Sequence, residues 1–357
     1  MYYDLFVPFP SPEVAPAKKK KEAKGKGKAA DDRSKTSTPA PADCWAGLDA
    51  AERVKVSRDV ALAGHLGYNV VAYTVSAEQS TAVTPCPFGS ADARTLPFPR
   101  LDPRFSTSSS SSDAGPSQPT LVQVTRYHMR LDDGKVHPIT AANTNALADY
   151  DILSAYVGSD KAFQVACVEL SNPGPNQISI ITVPLHERPF SFRLNRKQVR
   201  QALRMGVVFE IPYAAGLFPP TSVPQDAARR YRQNFLSNAR ELVRVTEGKG
   251  IILSSGPDGS SSSLRGPFDV VNLATILGIP ANLAKEALSL TPKKVLLRAQ
   301  ARRTHKAVTS APRLVPPPSG SGGAAEDDAM EVDGTETGAK RAAPDSATAN
   351  KKSKVGA

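Results

Sequence analysis

Short Val- and Ile-rich runs alternate with amphipathic stretches along most of this chain, and that alternation constrains the fold more than any other feature. The runs fall at 2–8, 69–76, 121–131, 152–157, 178–183, 207–211 and 250–255. Most are apolar on both faces, as strands of a parallel sheet covered by helices must be. Between the first two, Leu48, Ala51, Val54, Val56, Val60, Ala63 and Leu66 recur about three and four apart, and Gly67 ends the helix this spacing predicts over 47–66. Further helices are expected at 141–148, at 161–170 and from a cap at Asn195 through Met205. Ser222-Val223-Pro224-Gln225 has the pattern of a capping box with Pro inside it and opens a helix to about Glu247. The last helices are expected at 267–277, closed by Gly278, near 281–289, and at 292–303, with Thr291-Pro292 as N-cap and first residue. The expected fold is α/β: a TIM-like barrel of about seven parallel strands with surrounding helices, an open doubly wound sheet being the alternative.

Two stretches and the tail break the pattern. Residues 10–43 are rich in Pro, Lys, Ala and Gly, and 85–119 hold seven Pro and a serine run. Both are expected to be disordered inserts, because neither buries enough apolar surface to order itself. Residues 307–357 are expected to be a disordered tail, leaving 1–306 as a single barrel domain. In the tail, Lys340-Arg341 and Lys351-Lys352-Ser353-Lys354 have the spacing of a bipartite nuclear import signal. The N-terminus lacks the basic and apolar regions of a signal peptide, and no window approaches ~20 apolar residues. Cys44, Cys86 and Cys167 are odd in number and far apart, which suits a reducing compartment without structural zinc.

The net charge of +11 is unevenly placed: residues 223–306 carry fourteen Lys and Arg against six Asp and Glu. A basic face on a folded domain points to a polyanionic partner. Arg188, Arg193, Arg196, Lys197, Arg200 and Arg204 lie in one stretch without an acid, the last four on one helix whose other face is Val199, Ala202 and Leu203. Such a stripe can meet successive phosphates, or can be a solvated outer helix. Arg229 and Arg230 crowd the start of the next helix, against its dipole. Arg265, before Gly266-Pro267, could cradle a phosphate with Ser254 and Ser255, or these side chains could simply satisfy loop carbonyls. Lys293, Lys294 and Arg298, with Arg302 and Arg303, form a last cluster that could hold RNA backbone or keep a chain end soluble. On the strand 121–131, Tyr127 is expected in the core and Arg126, His128 and Arg130 on the opposite face. Glu210 has no second acid or His beside it, gives no catalytic constellation and is expected to pair with an arginine.

Three segments carry a family resemblance: the N-terminal YDLFVP, the strand Val208-Phe209-Glu210-Ile211-Pro212-Tyr213, and the unit SSG…LRGPFDVVNLATILG over 250–278. Together with the sequence around them, roughly 1–9, 45–84 and 120–306, they resemble the thirty-kilodalton protein subunit of eukaryotic ribonuclease P. The resemblance implies a barrel-like fold of the polymerase-and-histidinol-phosphatase group. It also implies membership of ribonuclease P, and of the related mitochondrial-RNA-processing particle, in the nucleus and nucleolus. Such particles remove the 5′ leader of precursor tRNA, and process rRNA, with RNA as the catalyst. The implied partners are the two RNAs, precursor tRNA through the particle, and other protein subunits, one small with an RNA-recognition-like fold; no membrane is implied. The chain's own work would be to bind and stabilise the catalytic RNA through the twelve cations from Arg188 to Arg298 named above, with no catalytic residue, cofactor or metal. The alternative is a metal-dependent phosphoesterase of the same fold group. There an Asp-Leu-His-x-His strand binds metal, but here Asp4-Leu5-Phe6-Val7-Pro8 puts Phe6 and Pro8 at both His positions, and neither can ligate. The five His (His65, His128, His137, His186 and His305) form no HxH or HxxxH pair.

Overall fold

A computed structural model describes residues 1–10, 44–90, 94–105, 120–132, 136–190, 192–219 and 223–304. Seven strands form one parallel sheet in sequence order: β1 (Tyr3–Pro8), β2 (Val70–Ala77), β3 (Val122–Leu131), β4 (Ile152–Val157), β5 (Ile180–Thr182), β6 (Val208–Pro212) and β7 (Ile251–Ser254). The sheet curls into a nearly closed barrel. At the seam β7 does not pair with β1; instead Ser255 bridges them, its Oγ donating to Phe6 O at 2.7 Å and its N–H to Asp4 Oδ1 at 3.3 Å.

The helices are α1 (Ala50–His65), α2 (Thr144–Ala148), α3 (Asp160–Val168), α4 (Arg196–Arg204), α5 (Ala214–Leu217), α6 (Gln225–Thr246), α7 (Pro267–Ile276), α8 (Ala281–Ala287) and α9 (Leu290–Arg302). Local chemistry sets their starts. Asp49 and Glu52 form a capping box on α1, the Ser159 hydroxyl accepts from Ala162 N–H on α3, and the Asn195 side chain accepts from Lys197 N–H on α4. Outward strand residues such as Val71, Tyr127, Leu153, Ile181 and Phe209 pack with the helices in the main core. Inward residues Leu5, Val70, Ala72, Val124, Ile152, Ile180, Val208 and Ile252 form a second cluster inside the barrel, closed at the N-terminal end of the strands by Val295 and Ala299 of α9.

Three expectations need correction. Most of 85–105, expected to be part of a disordered insert, is packed. Phe88 is buried against Phe9 and Tyr73, and Gln123 of β3 holds the segment through Phe98 N–H and Phe98 C=O. Proline suits ordered extended chain as well as disorder, so Pro content misled. α6 starts at Gln225 with Pro224 in the cap position and no side-chain cap, because Pro224 fixes the φ the helix entry needs. α9 starts at Leu290 rather than Pro292, since Pro is tolerated anywhere in a first turn whose N–H groups have no partner. The loop after β6 contains the one-turn helix α5. The Lys-rich segment 11–43, residues 106–119, Ser222, His305 and the tail with its import-signal pattern lie outside the described residues.

Candidate nucleic-acid interface

Above the inner apolar layer, Arg126 and Glu210 are both fully buried and joined by two hydrogen bonds of 2.6 Å. Every guanidinium N–H has an acceptor. Nε donates to Ser154 Oγ at 2.8 Å, Nη1 also to Leu5 C=O at 2.7 Å, and Nη2 also to Thr182 Oγ1 at 3.4 Å. The Thr182 hydroxyl donates to Glu210 Oε2. Burial pushes the Glu210 carboxyl up, but the guanidinium outweighs it and holds the carboxyl below its usual range. Phe6, at the first of the two positions where ligating His would stand, lies 4.6 Å from the Arg126 guanidinium carbon and edge-on to His128.

His128 completes the network. The single Ser154 proton goes to Tyr127 C=O, so His128 Nδ1, 2.9 Å from Ser154 Oγ, is the donor and Nε2 the acceptor. Burial and the nearby Arg126 push this imidazole down to about 3, so it is neutral at physiological pH. A satisfied guanidinium holds both oxygens of the only carboxylate in this network. Among the described residues no group of three or more His, Cys, Asp or Glu stands together as a metal site. Tyr127 is core, its ring 5.0 Å from Tyr150, and Glu210 does pair with an arginine.

The loop after β7 satisfies itself. Ser255 stitches the seam, and Arg265 Nη1 donates to Ser262 C=O and Leu264 C=O while its guanidinium stacks 4.2 Å from the Phe218 ring. Tyr68 donates to Arg265 C=O, and Arg265 N–H donates to Tyr213 Oη. Ser255 and Arg265 Nη1 thus both satisfy carbonyls in this loop. Asp4 is buried beside it with Oδ2 unpaired, and burial pushes its carboxyl up to about 6.

The cations named from sequence divide by place. Arg196, Lys197, Arg200 and Arg204 form the exposed face of α4, with Val199 and Ala202 buried beneath. Arg196 and Arg200 both reach Glu247 Oε1 at 3.3 Å, a pairing worth little between exposed groups. Arg188 and Arg193 are exposed on the segment leading to α4, which Asn238 of α6 fastens through Leu185 C=O and Arg188 C=O. Arg229 and Arg230 are exposed at the start of α6. Lys293 and Lys294 are exposed on α9, and half-buried Arg298 donates to Met205 C=O at the end of α4. Arg302 faces inward, donating to Pro175 C=O at 2.9 Å and to Tyr150 C=O, and Arg303 pairs with Asp151. Those two hold α9 to the barrel and are not a frayed, soluble end.

Three further cations, not singled out from the sequence, lie at the N-terminal end of the barrel. Lys249 lies in the turn between Gly248 and Gly250, and its only signal was a cation just before a strand. Arg94 and Arg104 belong to the packed segment taken for an insert, and pair with Asp151 and Asp102.

A family model described as RNase P subunit p30 matches residues 1–304. The chain belongs to this family. The p30 relatives include the mouse Ribonuclease P protein subunit p30, 28% identical over 249 residues, which are 69% of this chain and 81% of the mouse protein. The Dictyostelium discoideum Ribonuclease P protein subunit drpp30 is 34% identical over 57% of this chain and 50% of its own length. The Saccharomyces cerevisiae Ribonuclease P/MRP protein subunit RPP1 is 27% identical over 44% of this chain and 48% of its own. Against the last two, the p30-family chain thus spans about half of each relative's length. Among solved structures, a cryo-EM structure of archaeal Ribonuclease P with mature tRNA aligns with 73% of this chain and 95% of the archaeal chain, at 13% identity and TM-score 0.46.

Proposed function

We propose that this chain is a non-catalytic protein subunit of ribonuclease P, and of the related mitochondrial-RNA-processing particle, that binds and stabilises the catalytic RNA. In that role it supports 5′ leader removal from precursor tRNA and rRNA processing. Membership of the p30 family over residues 1–304 carries the reading. The interior chemistry supports it: Arg126 and Glu210 consume each other's bonding capacity, so the chain's work falls to its surface. Exposed arginines and lysines on α4, α6 and α9 neutralise phosphates, release counterions and fix the RNA in its active shape. Other barrel faces dock neighbouring subunits, one small and of RNA-recognition-like fold. The particle works in the nucleus and nucleolus, and the basic clusters at 340–341 and 351–354 support import.

The test is to purify the tagged chain from nuclei, sequence the bound RNA and assay cleavage of precursor tRNA. One or two dominant structured RNAs with 5′-leader cleavage are expected. Absence of a dominant structured RNA would overturn the proposal. So would chelator-sensitive phosphoester cleavage by the recombinant chain alone, which belongs to the phosphoesterase alternative.

A further inference from the structure

The cavities at the two ends of the barrel are lined by opposite charge. At the C-terminal mouth, a cavity of about 390 Å³ is lined by Glu78, Glu187 and Asp258, with Arg130 as its cation. Arg130 is already bonded to Asp132, and the two imidazoles there, His128 and His186, are both pushed down by burial. A phosphate entering this cavity would meet three carboxylates and one cation that is already paired. Functional loops of α/β barrels ordinarily sit at this end, but the charge of this cavity decides against it as a phosphate site.

The opposite end is basic on both sides of α9. On one side a cavity of about 660 Å³ opens between the starts of β6 and β7 and helices α8 and α9. Lys249, Lys294 and Arg298 line it against one carboxylate, Glu286. Its wall includes Gly206, against which the Arg298 guanidinium packs, and Gly248 and Gly250 on either side of Lys249. On the other side of α9, Arg94, Arg104 and Arg303 line a smaller cavity of about 270 Å³ with Asp151, which Arg94 and Arg303 share. Glu247, the partner of Arg196 and Arg200, directly precedes Gly248 of the larger cavity, so the exposed stripe of α4 runs into it.

We infer that the N-terminal end of the barrel, centred on Lys249 and Lys294, grips the phosphate backbone of the RNA, and that the acidic cavity at the C-terminal mouth does not. This rests on the reading of the chain as an RNA-holding subunit and adds which face holds the RNA. Two exposed cations flanking this cleft can take consecutive phosphates, and α4 extends the track along the outside.

The experiment compares the full-length wild-type chain with two doubly charge-reversed variants in binding to in-vitro-transcribed ribonuclease P RNA over a series of salt concentrations. One is Lys249→Glu with Lys294→Glu. The other is Lys55→Glu with Arg58→Glu on α1, the same change in charge at another exposed site. The first should weaken binding about tenfold or more and reduce the steepness of log Kd against log salt by roughly 2, while the second changes affinity less than about threefold. Lysine acetylation of the purified particle, with and without nuclease treatment, reads the same contact without mutation; RNA should protect Lys249 and Lys294 but not Lys55. Equal behaviour of the two variants, or equal acetylation of Lys249 and Lys294 in both states, would overturn the placement while leaving the RNA-holding reading standing. A wild-type chain without salt-dependent RNA affinity would overturn both.

Discussion

The Arg126 guanidinium and the Glu210 carboxylate, 84 residues apart in sequence, meet through two hydrogen bonds of 2.6 Å inside the barrel. Around them Ser154, Thr182 and the Leu5 carbonyl take the remaining donors, so the charge is held without a gap in its bonding. Removing one partner leaves an uncompensated buried charge. Glu210→Leu or Arg126→Met alone should cost about 3–5 kcal/mol, read by chemical denaturation, and the double variant should recover a large part of the loss. Additive losses would mean that the pair does not act as a unit.

Asp4 and His128 set opposing pH dependences. The Asp4 carboxyl is raised from 3.8 to about 6 because burial penalises its charge. The folded state therefore binds this proton more tightly than the unfolded one, and stability falls as pH rises from about 4 to about 6. The total is up to ~3 kcal/mol for a shift of roughly two units. His128 is lowered from 6.5 to about 3, first by burial, so its contribution is present above 6.5 and lost as pH falls below it. Asp4→Asn removes the first effect and keeps the acceptor for the Phe6 and Ser255 N–H groups. The variant should be more stable than wild type by about 1–3 kcal/mol at pH 7.5 and equal to it at pH 4, as urea unfolding across that range would show.

Gly256 sits where the chain leaves β7, with φ +86° and the place of a Cβ only 2.5 Å from Pro212 Cβ. Gly256→Ala meets both left-handed backbone strain and a clash with the neighbouring strand. A loss of roughly 1–3 kcal/mol in the thermal or denaturant transition is expected, with Gly174→Ala, where the space is open, as the comparison.

Arg302 and Lys293 share α9 and differ in what they do. Arg302 is buried and caps backbone carbonyls of Tyr150 and Pro175, whereas Lys293 stands in solvent. Arg302→Met should destabilise by about 2–4 kcal/mol, because those carbonyls lose their donors. Lys293→Ala should stay within about 0.5 kcal/mol, so that any loss of RNA binding it causes can be read as loss of contact. Parallel melts of the two variants decide it.

Much of the barrel was legible because period-two and helical patterns are local. The run 152–157 is β4 residue for residue, and Asn195 caps α4 as its position implies. The three segments that carry the family resemblance also meet in space. Pro212 pairs in register with Ser254, Ser255 bonds to Asp4 and Phe6, and Arg265 N–H bonds to Tyr213. The packed segment around Phe88 was illegible because its order comes from contacts with Phe9, Tyr73 and Gln123, which its own composition does not reveal.

By itself the sequence determined that this chain alternates strands and helices, lacks the two His of the related metal strand, and concentrates cations in its last folded third. Only the tertiary structure decided what each cation does. Arg126, Arg298 and Arg302 are alike in composition, yet one neutralises a buried carboxylate, one borders a solvent cleft and one caps carbonyls. Burial and partner geometry set the work of a charge, and both arise from contacts between residues far apart in the chain.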